Sequence, residues 1–175
     1  MASSQAARNT TIMIRKLSEF IRNANALTDV HPGDFPPGPV IVRSINLNRR
    51  GPTAVIRLDV AKPPTSPNPD WARVECDRVQ CHVAFLDVRE FRLEHWLGSG
   101  EAEAAVAPME PRRLEIRLEG PTMRCSFTAS DSVTVRHVSA YRSSEGQDRQ
   151  FFASPLDRRR FTDKLPWIDE RTFYG

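Results

Sequence analysis

From Val40 to Tyr141 the apolar residues recur at every second position, in short runs broken by turn residues. That period constrains the fold more than any other feature, because successive side chains of an extended strand point to opposite faces of a sheet. Ile41, Ile45 and Leu47 share one side of a first run. Ala54, Ile56, Leu58 and Val60 alternate with Thr53, Arg57 and Asp59 in a second, and Asn48-Arg49-Arg50-Gly51-Pro52 turns the chain between them. The pair reads as a hairpin. The strongest run sets Val79, Cys81, Val83 and Phe85 against Arg78, Gln80 and His82, and Phe91, Leu93 and His95 resume the pattern. Leu114 to Leu118, Met123 to Phe127 and Val133 onward supply three more. Ala102–Val106 fits a weak strand or a helical turn equally.

Each run has one apolar and one polar face, which predicts antiparallel strands covered on one side. Turn signals roughly every 8–12 residues predict a curled or sandwich-like sheet. The expected fold is therefore mainly β, with two helical additions. Ile14, Leu17, Phe20, Ile21, Ala24 and Leu27 follow helical spacing, so residues 10–27 are expected to form an amphipathic helix capped by Thr10 or Thr11. Ser154-Pro155-Leu156-Asp157 starts a short C-terminal helix. HPGDFPPGP (31–39) and KPPTSPNPD (62–70) hold eight of the 14 prolines and are read as loops.

At 175 residues one domain is the default. It divides into a mobile tail (1–9), the helix (10–27), an antiparallel core (40–141) and an aromatic segment (149–175). That last segment holds six of the 14 aromatic residues, Phe151, Phe152, Phe161, Trp167, Phe173 and Tyr174, and is expected to pack inward. No apolar stretch is long enough for a membrane helix. No signal peptide is legible, and three cysteines fit a reducing cytoplasm better than a disulfide scaffold.

Catalytic signatures do not occur: there is no phosphate-cradling glycine loop, nucleophile elbow or zinc-protease motif. No enzyme and no cofactor is implied. Cys81 and His82 are neighbours on a strand and point to opposite faces, which argues against a shared metal. Arg158-Arg159-Arg160, with Phe161 and Trp167 nearby, supports an alternative reading as a nucleic-acid-binding β domain. Asp157, Asp163, Asp169 and Glu170 dilute that cluster, so nucleic acid is disfavoured.

Charge is unevenly placed. Residues 1–62 carry nine basic and four acidic side chains, whereas residues 87–119 carry five basic and eight acidic. Asp87, Glu90, Glu94, Glu101 and Glu103 surround the run ending at Trp96. A tryptophan rimmed by carboxylates is a candidate protein-binding anchor.

The stretch DRVQCHVAFLDVREFRLEHW, with Trp71 before it, resembles the Immunity protein 50 family of bacterial polymorphic-toxin systems. SINLNRRGPTAVIRLDV is similar to that family's opening hairpin, and LEIRLEG with MRCSFTASDSVTVRHV to its closing strands. The resemblance covers roughly residues 40–140. It implies a cytoplasmic protein that neutralises a cognate toxin, encoded nearby, by stoichiometric binding.

Overall fold

The computed structural model describes residues 13–31, 33–166 and 171–174. Nine strands form one open antiparallel sheet: β1 (Val40–Asn48), β2 (Thr53–Val60), β3 (Arg78–Phe85), β4 (Arg89–Glu94), β5 (Gly100–Met109), β6 (Arg113–Gly120), β7 (Met123–Ser130), β8 (Val133–Tyr141) and β9 (Phe151–Phe152). Their spatial order is β4-β7-β6-β5-β1-β2-β3-β8-β9. Among the described residues three short helices accompany them, α1 (Pro69–Arg73), α2 (Pro155–Phe161) and α3 (Arg171–Tyr174).

The curl expected from the turn spacing is present. β5 makes the corner: Gly100–Ala102 pairs with β1, and Glu103–Met109 pairs with β6. Beyond that corner the two halves of the sheet face each other. Phe85 of β3 meets Phe127 of β7 edge-on at 5.1 Å, although four strands separate β3 from β7 in the sheet, and Phe91 of β4 stacks on Phe127 at 5.6 Å. One apolar core fills the concave side, joining Val40, Ile56 and Val83 to Ile116, Cys125 and Phe127. Ala102–Val106, undecided in sequence, is part of the longest strand.

The expected N-terminal helix does not form among the described residues. Leu17–Phe20 and Ala24–Leu27 are separate 3-10 turns. Leu17, Ile21 and Leu27 are buried as helical spacing required, but the backbone bonds outward instead of along itself. The Arg15 amide donates to the Val106 carbonyl at 2.8 Å, Ser18 to Phe35 at 3.1 Å and Arg22 to Val133 at 2.8 Å. The Asn23 amide group grips the backbone of Val135 from both sides, donating to its carbonyl at 2.6 Å and accepting from its N–H at 2.9 Å. Pairing with strand backbone satisfies the polar groups that a helix would have satisfied internally. The expected mobile tail and the Thr10 and Thr11 caps lie outside the described residues.

Two further expectations are corrected. The 62–70 loop ends in α1, which Asn68 caps by accepting from the Trp71 amide at 3.0 Å. One-sided cover also fails for the central strands, since β2 and β3 are buried on both faces over almost their whole length. The C-terminal helix is present as α2, and the segment around it covers the convex face. There Phe152, Phe161 and Phe173 form a second apolar cluster with Leu165 and Tyr174 at its edge, so these aromatics pack inward. The Trp71 indole N–H donates to the Phe151 carbonyl at 2.8 Å and ties α1 to this cover.

Candidate partner-binding surface

Among the described residues, no such cover lies over the convex face of β4-β7-β6-β5 apart from Ile14 and Arg15 at the β5 edge. Register places its outward side chains in rungs across four strands. Glu103 of β5 pairs with Glu119 of β6, Glu119 with Arg124 of β7, and Arg124 with Glu94 of β4. All four are exposed. The next rung runs Ala105, Arg117, Ser126, Arg92. Arg117 donates to Glu115 on its own strand at 2.8 Å, which raises the guanidinium further above its ordinary value. Glu115 is thereby occupied. The Glu103–Glu119 contact is different: two carboxylates stand directly opposite across adjacent strands, an arrangement that destabilises a sheet.

The acidic residues expected to act together separate into three groups. Glu94 and Glu103 share the rung just described, and Glu101, exposed, lies beside Ile41 of β1 on the same face. Glu90 is exposed at the irregularity of β4, with φ of 54°. Asp87 is half-exposed but tied to two arginines. Arg113 donates to it at 2.5 Å and Arg89 at 3.0 Å; burial opposes ionisation, but these bonds outweigh it and hold the carboxyl below its usual range. Trp96 is half-buried against the core and supplies only one flank to solvent, while Leu97 beside it is 81% exposed. Glu119 and Arg124 complete the rung and are not singled out by sequence alone. Their signal is the register of β5 on β6, which needs β5 to be a strand.

The basic C-terminal cluster is partly internal. Arg158 donates to the Phe152 carbonyl at 2.7 Å and to Asp70 at 2.9 Å, and Arg160 lies over the Phe161 ring. Trp167, Asp169 and Glu170 lie outside the described residues. Among the described residues no three His, Cys, Asp or Glu side chains converge as a metal would require, and no helix is long and apolar enough to cross a membrane. Cys81 faces the core and His82 the opposite side, where it meets His137, Phe173 and Tyr174.

Fold and surface together define a class: an open antiparallel β protein whose convex face is covered by its own C-terminal segment over one half and, among the described residues, left charged and largely bare over the other. The model of the Immunity protein 50 family matches residues 38–141, which is β1 to β8 and more than half of the chain. The chain belongs to that family, and so to the immunity proteins of toxin systems. No curated protein and no solved structure matches it.

Proposed function

We propose that this protein neutralises a cognate toxin by stoichiometric binding in the cytoplasm, and that the bare face of β4-β7-β6-β5 is the surface it uses. The supporting observation is the Glu103–Glu119 pair, with Glu101 two residues along β5 and Glu94 on the far side of Arg124 in the same rung. Facing carboxylates cost stability and do nothing for the fold; cations on a partner would relieve them. Trp96 and Leu97 at the end of β4 give the carboxylates an apolar neighbour. The complementary toxin surface is basic. Inhibition then works by occupancy, and the immunity protein needs no catalytic group. An interface of standard size, about 1,600 Å² in total, fits a four-stranded face.

The test is rescue. The C-terminal domain encoded by the adjacent toxin gene is expressed in a bacterium with and without this protein. Survival only with both, and co-purification of a one-to-one complex, is the expected result. The triple variant Glu94→Gln, Glu103→Gln, Glu119→Gln should lose rescue while its melting temperature stays the same or rises slightly. Full rescue by that variant overturns the choice of face. Death despite co-expression overturns neutralisation, and affinity for single-stranded nucleic acid that falls steeply with salt would favour the nucleic-acid alternative.

A further inference from the structure

The convex face of β2 holds a cation that no described residue answers with a hydrogen bond or ion pair. Arg57 pairs with Ser44 of β1 and His82 of β3, and is only 6% exposed. Its Nε is buried without a hydrogen-bond partner, and no hydrogen bond or ion pair joins the guanidinium to any described residue. The nearest buried anion is Asp59, two residues along the same strand, but its oxygens are already taken. Gln80 donates to Oδ1 at 2.7 Å, and Arg43 and Tyr141 donate to Oδ2 at 2.6 and 2.8 Å. Two guanidiniums thus share one carboxylate, and Arg57 is the surplus charge. Burial accordingly pushes its pKa down. A buried, unpaired cation is among the costlier features a fold can keep.

Arg57 lines a cavity of about 830 Å³ between the sheet and the C-terminal segment. The cavity wall is built, not incidental. The Gln150 amide donates to the Asp163 carbonyl at 2.9 Å and the Leu165 amide to the Asp148 carbonyl at 2.8 Å, so 148–150 and 163–165 form a two-stranded rim. Arg149 and Lys164 are paired across that rim, and both line the cavity. Asp148 and Asp163 also line it, but they are exposed at the mouth, whereas Arg57 is buried. Three cations against two carboxylates leave one positive charge. Leu165 and Pro166 give the cavity an apolar side. The volume exceeds that of an inorganic ion and falls in the range of small-ligand pockets.

We propose that this cavity binds a small organic anion, a carboxylate or a phosphate monoester, with its oxygens on the Arg57 guanidinium and its body against Leu165 and Pro166. A planar guanidinium fork matches either group with two parallel hydrogen bonds. The site is on the covered half of the sheet, apart from the proposed toxin-binding face.

The experiment is thermal denaturation and titration calorimetry of the full chain with acetate, hexanoate and inorganic phosphate, each against chloride at equal ionic strength. Hexanoate near five times its dissociation constant should raise the melting temperature by about 2–4 °C, and acetate and phosphate by less. Arg57→Gln should abolish the shift. If that variant does not fold, the exposed pair Arg149→Ala with Lys164→Ala decides: at least about tenfold weaker hexanoate binding supports the site. No anion-specific shift in the wild type overturns the proposal. So does an unchanged shift in Arg57→Gln, or unchanged affinity in the rim variant.

Discussion

Asp59 of β2 accepts from Arg43 of β1, Gln80 of β3 and Tyr141 of β8 while fully buried, so it holds four strands together through one carboxylate. Asp59→Ala would strand the Arg43 guanidinium and enlarge the local positive charge beside Arg57. A loss of about 3–5 kcal/mol is expected, readable as a lower urea midpoint. His82 gives a second residue-scale prediction. It is fully buried on the convex face, edge-on to Phe173 at 4.2 Å and stacked with Tyr174 at 4.9 Å, and neither ring nitrogen makes a hydrogen bond of normal geometry. Burial lowers its pKa well below 6.5; nearby His137, Arg57 and Arg136 lower it further, and only the Phe173 backbone opposes them. His31 shifts the same way, again mainly through burial. The native state therefore binds fewer protons than the unfolded chain once the pH drops below about 6.5. Stability should be flat above that value and decline between about pH 6.5 and 5. The lowered carboxyls of Asp77 and Asp87 add their loss only nearer pH 4. Melting curves at pH 7.5, 6.5 and 5.5 check this, and His82→Phe should flatten the decline.

At the scale of elements, the tightest contact is where β6 ends against β5. A Cβ on Gly120 would lie 1.7 Å from the Glu101 carbonyl oxygen, which is backbone and has no side chain to swing away. Gly120→Ala must push the strands apart, and a loss of about 1–3 kcal/mol is expected in denaturant melts. Strands of this kind are legible in sequence because alternation survives any register. β6 and β7 each bury their apolar residues at every second position, as expected. β1 corrects the expectation: Val40 and Val42 are its buried apolar residues, a bulge between Val42 and Ser44 shifts the register, and Ile41 and Ile45 are only half-buried while Leu47 is 53% exposed. Helical spacing misleads at the N-terminus because Leu17, Ile21 and Leu27 satisfy it whether or not the backbone closes on itself, and Asn23 gives no local sign that its partner is Val135. The two-sided burial of β2 and β3 is hidden for a related reason. Arg57, Asp59, Gln80 and His82 look like solvent-facing residues until the distant C-terminal segment is placed over them. The candidate surface is half legible: Glu94 and Glu103 can be named from sequence, but Glu119 joins them only through pairing.

For the whole molecule, the family match ends at residue 141, yet the convex side of its central strands is closed by residues beyond that point. Removing residues 147–175 would uncover Gln80 and His82, and delete Phe152, Phe161 and Phe173. The truncated chain should lose cooperative unfolding, bind a hydrophobic dye and keep most of its far-ultraviolet β signal. Cooperative melting at the full-length temperature would mean that the sheet stands without its cover.

The sheet is open, so it has two ends, β4 and β9. β9 is two residues long, and β4 is interrupted between Arg89 and Arg92 and carries Arg89, Glu90, Arg92 and Glu94 along six positions. Neither end offers a long, flat, uncharged ladder on which another copy could dock its own backbone. Docking of a second copy strand to strand is therefore favoured at neither end. For the antidote role proposed above, which needs the protein in place before the poison arrives, that is the property that lets supply run ahead of need.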